Sequence, residues 1–390
     1  MRYLSADIIF PINSKPIKNG IIKVTESGEI IRVFSSKEKI PNAEVEFFEG
    51  ALCPGFINTH CHLELSHLKN QISEKTHIDG FIKELQSKRE ATTDTIHAAI
   101  EKADQEMIKN GIVAVGDISN GNSTFSTKAK SKIYYHTFLE LFGFNPSQAP
   151  EVYNRAKALK NELNQLKLNS SIVPHSPYSV SDELFSLIRE NHAYNDPICI
   201  HNQENKDENT FYQNRKGKLA EMLQSFGISL DHWKAEYPSS LQGYLRKLPT
   251  DSRVLFVHNT FTSAEDLEIA KGQFKSPYWC FCPNANQYIE DTLPNIPSFA
   301  EKEAKCTIGT DSLASNYALS VLDELKVIAS AFPQIDSSVL LKWATLNGAE
   351  FLGLDQQLGS LEKGKVPGIN WLRDLENGQI GSETSIEKII

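Results

Sequence analysis

The chain has 390 residues, 40% of them hydrophobic and 23% charged, with a formal net charge of −9. This composition predicts a folded globular protein and excludes extended disorder. The negative charge, with acids and bases mixed along the chain, disfavours a nucleic-acid partner. No stretch has the roughly 20 apolar residues that cross a bilayer, and MRYLSADIIFPINSKP lacks the apolar core of a signal peptide. We therefore expect a cytoplasmic protein that does not act at a membrane.

The two ends of the chain read as short strands and turns. The first segment contains YLSADIIF, GIIKVTESGEIIRVF with a hairpin turn at Glu-Ser-Gly, and VEFFEGALC. The tail from about residue 356 is again turn-rich. We predict that residues 1–52 and 356–390 together form a small β-sandwich domain.

The middle of the chain alternates short apolar runs with longer amphipathic segments, which is typical of repeated βα units. Eight such runs follow Pro54-Gly55, and each ends in a polar residue: FINTH, GIVAVGD, IYYHTFLE, SSIVPH, DPICIH, RVLFVH, YWCFCPN and KCTIGTD. This count predicts an α/β fold, a (β/α)8 TIM-like barrel over residues 53–355. An open doubly wound sheet is the competitor, but no G-x-G-x-x-G follows the first strand.

One unit is longer than the others. The interval from His201 to His258 is about twice that from His175 to His201, which predicts a helical insertion at about 205–250 on the catalytic face. The six cysteines form no C-x-x-C pair, so we expect buried reduced thiols.

The stretch PGFINTHCH places two histidines at the end of the first barrel strand. Alternate side chains of a strand face the same way, so His60 and His62 point together and Cys61 points away. Such a pair alone indicates a metal site and two structural histidines about equally. However, four more strands end at His175, His201, His258 and Asp311, and all would meet at the barrel mouth. Asp117 and Glu140 also end strands, but they are weaker candidates and are left out of the predicted site.

The ordered motifs PGFINTHCH, VPHSPYSVS, HNQE, CPNAN, IGTDSLASN and ATLNGAEFLG resemble the amidohydrolase superfamily. The similarity is greatest to its mononuclear deaminase and chlorohydrolase branch, which includes S-adenosylhomocysteine, guanine and aminodeoxyfutalosine deaminases. It runs from about residue 50 to 365. The resemblance implies a (β/α)8 fold, a hydrolase acting on carbon–nitrogen bonds of cyclic amidines in a small-molecule substrate, and frequent homodimers. The usual GKxADxV segment is here GKVPGINWL, so the small domain closes differently.

The resemblance also implies a site built around one divalent ion, zinc or alternatively iron. The implied metal ligands are His60, His62, His201 and Asp311. Glu204 matches the proton-shuttling glutamate of the branch, His258 the histidine that orients the attacking water, and His175 a substrate contact. Asp311, besides binding the metal, would accept the proton of the water. The alternatives are a solvated loop acid at Glu204, structural roles for His175 and His258, and a helix cap at Asp311, although Ser312 would cap equally well.

Two features narrow the chemistry further. The binuclear enzymes of the superfamily use a strand-four lysine, whereas strand four here offers His175. This argues for one metal and for amidine deamination over cyclic amide hydrolysis. HLELS and GTDSLASN look like the aminodeoxyfutalosine deaminases, so Glu64 and Ser312 are candidate substrate-binding residues.

Three functions therefore compete. The first is a deaminase that replaces the amine of a purine-like ring with a carbonyl. The second is a chlorohydrolase-type or guanine deaminase-type hydrolase of the same branch. The third is an inactive amidohydrolase-like scaffold, which would be expected to lack a ligand or Glu204. A nucleic-acid deaminase fits poorly, because its H-x-E and P-C-x-x-C signature is absent.

Overall fold

The structure is a computed structural model that describes residues 1–35, 38, 44–231 and 233–390. Parts of the predicted first segment and position 232 of the predicted insertion thus lie outside the described residues. The strands are β1 (Arg2–Ile9), β2 (Ile17–Lys18), β3 (Ile21–Val24), β4 (Ile30–Phe34), β5 (Glu46–Pro54), β6 (Phe56–Cys61), β7 (Ile112–Ser119), β8 (Tyr134–Leu141), β9 (Asn169–Pro174), β10 (Pro197–Asn202), β11 (Arg253–His258), β12 (Tyr278–Phe281), β13 (Lys305–Ile308), β14 (Ile369–Arg373) and β15 (Ser385–Lys388).

Helices separate most of the strands in the middle of the chain. They are α1 (His77–Lys88), α2 (Thr93–Lys109), α3 (Phe125–Lys130), α4 (Ala149–Gln165), α5 (Asp182–Asn191), α6 (Lys206–Asn214), α7 (Lys218–Ser225), α8 (Ser240–Tyr244), α9 (Ala264–Gln273), α10 (Pro283–Glu290), α11 (Ile296–Glu301), α12 (Val321–Ala331), α13 (Ser337–Ala344) and α14 (Leu346–Leu352). No helix among the described residues is both long and apolar enough to cross a membrane.

The strands β6 to β13 form the predicted (β/α)8 barrel. They pair in parallel as two four-stranded sheets, β6-β7-β8-β9 and β10-β11-β12-β13. At one junction the His201 amide donates to the His175 carbonyl at 2.9 Å, and at the other the Thr310 amide donates to the His60 carbonyl at 3.0 Å. The strand ends that carry these residues therefore meet on one face, as the apolar runs predict.

The barrel strands are buried on both faces, which is why they read as nearly continuous apolar runs. The surrounding helices bury a single stripe, as in α2, where Ile100, Ala103 and Met107 face the core. All six cysteines are free and buried, so the prediction of unpaired buried thiols is confirmed.

The two ends of the chain build one mixed sheet of seven strands. Its order is β15-β14-β5-β1-β3-β4, with β2 paired to β1, and β1 lies parallel to β5. The β3–β4 hairpin turns at Gly28, whose φ of +88° suits a residue without a side chain. The predicted union of both ends is confirmed, and the domain boundaries at residues 52 and 356 stay predictions.

The insertion after β10 contributes α6, α7 and α8, together with a separate apolar cluster. This cluster joins buried side chains of the insertion to others from the loop after β6 and from α1: Leu65, Leu68, Ile72, Ile78, Phe81, Phe144, Tyr178, Phe211, Tyr212, Leu219, Ala220, Met222, Leu223, Leu230, Trp233, Tyr288, Ile289 and Ala314. Lys218 of α7 also lies 3.6 Å from Asp79 of α1. The insertion thus supports α1 over the mouth of the barrel.

Candidate metal centre

Four ligand-type atoms from three strand ends converge at the barrel mouth. The Nε2 atoms of His60 and His62 are 3.1 Å apart, and Nε2 of His201 lies 3.3 Å from that of His62. Oδ1 of Asp311 lies 3.6 Å from Nε2 of His60 and 3.4 Å from Nε2 of His62. All four side chains are buried. The structure therefore brings together the four predicted metal ligands.

The protonation of these groups fits a bound cation. Burial lowers the pKa of His60 and lowers that of His201 well below its usual value, so both rings are neutral. Nδ1 of His201 lies 2.8 Å from the His175 carbonyl and must donate to it. The other ring nitrogen, Nε2, therefore carries no proton, and its lone pair faces the other predicted ligands. Three imidazole nitrogens and one carboxylate are a donor set that suits zinc.

The backbone around Asp311 aims its carboxylate at the histidines. Asp311 has a φ of +54°, its amide donates to the His60 carbonyl at 3.1 Å, and its Oδ2 accepts from the Ser315 hydroxyl. One layer below, Asn58 and Thr310 form two hydrogen bonds of 2.7 and 3.1 Å, which fix β6 to the loop that carries Asp311. The chain beyond β13 is thus held against β6.

The helix-cap alternative for Asp311 is wrong, and so is the cap role considered for Ser312. The helix that follows, α12, begins at Val321 and is capped by Ser320. Ser312 lines the cavity at the metal centre, and its hydroxyl accepts from the Ala314 amide at 3.2 Å.

Glu204 and His258 face each other beside the four predicted metal ligands. Nε2 of His258 lies 3.6 Å from Oε1 of Glu204, and both side chains are buried and line the cavity. Burial, with Asp311 as the largest charged contributor, raises the pKa of Glu204 well above its usual value. Burial lowers the pKa of His258 to about 3. Burial thus favours the uncharged form of both partners, the protonated acid of Glu204 and the neutral imidazole of His258.

Glu140 belongs to this centre, although sequence reasoning left it out. Its Oε1 lies 2.7 Å from Nδ1 of His175 and 3.4 Å from Nδ1 of His201. Burial alone would raise the pKa of Glu140, but His175 and the other nearby histidines outweigh it and lower the pKa. The signal in the sequence was its position at the end of the strand that precedes His175. Asp117, the other excluded acid, instead pairs with buried Lys128.

Glu64 lies behind the cavity wall. It is buried in the short 3-10 helix Leu63–Leu68, where it contacts two residues that do line the cavity, Arg89 and Asn120. A direct contact of Glu64 with substrate stays a prediction. His175 does line the cavity, and the Phe142 ring lies over it with a centroid distance of 4.0 Å.

The cavity has a polar end and an apolar wall. The polar end carries His62, His201, Glu204 and Asp311. The wall comes mainly from α1, which presents apolar residues at helical spacing, joined by one from the 3-10 helix after β6 and one from α10: Ile78, Phe81, Ile82, Leu85, Leu65 and Ile289. No residue of the 205–250 insertion lines the cavity in the described part of the chain, because α1 stands between them. The site can therefore receive a flat, largely apolar ring whose reactive edge meets the polar end.

The chain has relatives among characterised proteins. A model of the amidohydrolase family matches residues 51–380. Adenosine deaminase of Helicobacter pylori is 29% identical over 334 residues, which are 84% of this chain and 80% of that protein. The 5′-deoxyadenosine deaminase of Methanococcus vannielii is 26% identical over 353 residues, 84% of this chain and 76% of its own.

A solved structure extends the likeness to the whole fold. The Helicobacter pylori aminofutalosine deaminase in complex with methylthio-coformycin superposes with a TM-score of 0.81 at 25% identity. The superposition covers 96% of this chain and 93% of that one, so it includes the terminal sheet as well as the barrel.

Proposed function

Because the chain belongs to the amidohydrolase family, we propose that it is a metal-dependent deaminase of adenine-type nucleosides. The observation that carries the proposal is Glu204, a buried acid whose pKa is raised by burial, beside four converging ligand atoms at the polar end of one cavity. A nucleophile and a proton donor are thereby available on the same face of a bound ring.

The metal site would be formed by His60, His62, His201 and Asp311. A divalent ion bound there supplies Lewis acidity, which lowers the pKa of water toward neutrality. We propose one ion, zinc, because a set of three imidazoles and one carboxylate suits it, and iron is the alternative that the same set would bind. The nearby Nδ1 atoms of His175 and His201 are already used in hydrogen bonds, so they do not form a second site.

The side chains divide the proton transfers among them. Water oxygen bonds to the amidine carbon, and Asp311 accepts the proton that the water loses. Glu204 donates its proton to the adjacent ring nitrogen, so that the carbon becomes tetrahedral without a charge on the ring. The carbon–nitrogen bond then breaks as the amine takes the proton held by Asp311 and leaves as ammonia, while the hydroxyl proton passes to Glu204 and a carbonyl remains. His258, a neutral imidazole 3.6 Å from Glu204, orients the water.

The substrate assignment rests on the relatives and on the cavity. Proteins similar to this chain are named as deaminases of adenosine, 5′-deoxyadenosine and aminofutalosine. The apolar wall of α1 suits the faces of a purine, and the half-exposed Phe142 with His175 offers a stacking surface at the mouth. The best candidates are aminodeoxyfutalosine and other adenosine derivatives.

The second candidate is a guanine deaminase-type or chlorohydrolase-type hydrolase, since the same nucleophile would displace another leaving group. An inactive scaffold is disfavoured, because all four ligands, Glu204 and His258 are present and assembled.

The test begins with metal analysis and a substrate panel. We expect about one zinc equivalent per chain, and ammonia release from aminodeoxyfutalosine, S-adenosylhomocysteine or adenosine, followed by ultraviolet absorbance, with guanine as comparison. Glu204→Gln should lower kcat by roughly 100-fold or more while zinc content is kept. The control is Glu190→Gln, an exposed acid on α5, which should behave as wild type. Full activity of Glu204→Gln would contradict the mechanism.

A further inference from the structure

Four side chains link the loop after the metal pair to the histidine at the end of β9. The Arg89 guanidinium donates to Oε1 of Glu64 at 3.2 Å, and the backbone amide of Asn120 donates to Oε2 of Glu64 at 3.0 Å. The Asn120 side chain then donates to Oε2 of Glu140 at 3.1 Å, and Oε1 of Glu140 accepts from Nδ1 of His175 at 2.7 Å. We name this series the wall chain.

The wall chain follows the cavity wall. Arg89, Asn120, Glu140 and His175 all line the cavity, whereas Glu64 lies behind it and joins the first two. Both glutamates are buried. Each of their four carboxylate oxygens has a partner within the wall chain, so these contacts hold both acids in place.

Glu140 is the member that reaches the metal ligands. A carboxylate accepts and cannot donate, so the proton of the hydrogen bond with His175 lies on Nδ1 of the histidine. With Nδ1 donating to Glu140, Nε2 is the ring nitrogen that His175 leaves for other contacts. The same oxygen of Glu140 lies 3.4 Å from Nδ1 of His201, which donates to the His175 carbonyl. Glu140 therefore holds both rings in the orientation in which their Nδ1 atoms carry the protons.

From these contacts we propose that Glu140 and Asn120 are positioning residues of the deaminase, with Glu64 as the anchor of the wall chain. They fix the tautomer and orientation of His175 and couple it to the loop that follows His62. This inference rests on the proposed function for its kinetic consequence, but the tautomer can be measured without any turnover. Carboxylates that orient ligand histidines contribute roughly 10- to 100-fold in affinity or activity when removed.

Two substitutions separate the links of the wall chain. Glu140→Gln leaves one side-chain oxygen for two donors, Asn120 and His175, so its amide group must face one of them. Asn120→Ala removes only the side-chain bonds to Glu140, since the backbone amide still donates to Glu64. The matched control is Asn122→Ala, which removes an exposed asparagine–glutamate bond of 3.0 Å to Glu162.

The first measurement is the ¹⁵N spectrum of the histidine rings in zinc-loaded protein, with His175 assigned through His175→Gln. We expect a single Nδ1-protonated form in wild type and in Asn122→Ala, and exchange between tautomers in Glu140→Gln. An unchanged His175 ring in Glu140→Gln would overturn the proposal. If wild type deaminates nothing on the panel, the proposed function fails, while this spectrum still decides the positioning role.

The second measurement is steady-state kinetics on the substrate that wild type turns over best. Asn120→Ala should lower kcat/KM by roughly 10- to 100-fold, with zinc content and melting temperature as in wild type. A purely structural role would lower the melting temperature and the active fraction instead, with kcat per folded, zinc-loaded chain unchanged. That result, or wild-type kinetics in Asn120→Ala, would overturn the proposal.

Discussion

The Lys128 ammonium lies 2.6 Å from the Asp117 carboxylate, and both side chains are fully buried. Lys128 also donates to the hydroxyls of Ser119 and Thr137 at 3.0 and 3.1 Å, so all three of its protons are used. The other oxygen of Asp117 accepts from the Leu63 amide at 2.8 Å. This ion pair therefore fixes the backbone directly after His62.

Replacing Lys128 should destabilise the barrel strongly. Lys128→Met leaves the Asp117 charge buried without a partner, which costs about 3–5 kcal/mol in comparable pairs. The free energy of unfolding, measured in urea, should fall by about that amount. Lys128→Met combined with Asp117→Asn should recover part of the loss, because the asparagine still accepts from Leu63. A single variant as stable as wild type would contradict this account.

Removing the metal should lower both stability and activity. Four predicted ligand atoms, each within 3.1–3.6 Å of a neighbour, would lose the cation that we propose they share. A ligand at 100 times its dissociation constant stabilises the native state by about 2.7 kcal/mol. Chelation should therefore lower the melting temperature and abolish turnover, and added zinc should restore both.

Replacing a predicted ligand histidine should abolish zinc binding, whereas replacing a histidine elsewhere should not. His201→Asn should lose zinc and become insensitive to chelator, while His97→Asn, on the exposed face of α2, should bind zinc as wild type does. Equal zinc content in both variants, measured by atomic emission, would exclude His201 as a ligand.

Gly309 occupies a space that admits no side chain. A Cβ there would lie 2.7 Å from Sγ of Cys280, 2.8 Å from Cβ of His60 and 2.9 Å from Sγ of Cys282. Gly309→Ala should therefore push His60 away from the other ligands, destabilise the fold by about 1–3 kcal/mol and weaken zinc binding, measured by competition with a chromogenic chelator. The control is Gly272→Ala in α9, where a Cβ meets nothing within 4 Å. It should leave zinc affinity unchanged, and an equal loss of affinity in both variants would contradict the steric argument.

Periodicity and strand-end chemistry predicted most of the centre. Each of the eight apolar runs became a barrel strand, and alternation along β6 correctly placed His60 and His62 together with Cys61 in the packed core. Glu140 was missed because a strand-end acid alone does not reveal its partner, and His175 lies on the next strand. The apolar wall was missed because the sequence places an insertion on the catalytic face but does not show that α1 lies against the cavity.

Glu208 should make stability depend on pH. Its Oε1 accepts from the Gln203 amide at 2.8 Å and from the Ser240 hydroxyl, whereas its buried Oε2 has no partner among the described residues. Burial raises its pKa to about 7 from the ordinary 4.5. Below pH 4.5 the acid is protonated in both the folded and the unfolded chain, so it carries no penalty. As the pH rises from 4.5 to 7 the unfolded chain ionises first, and the folded state loses relative stability.

Glu208→Gln should remove this penalty, because its oxygen keeps both hydrogen bonds and its amide carries no charge. A pKa difference of this size corresponds to about 3 kcal/mol once the pH exceeds 7. The variant should therefore gain stability over wild type at pH 8 and show little difference at pH 4.5, with unfolding in urea followed at both values. A gain of the same size at both pH values would mean that packing, and not ionisation, separates the two side chains.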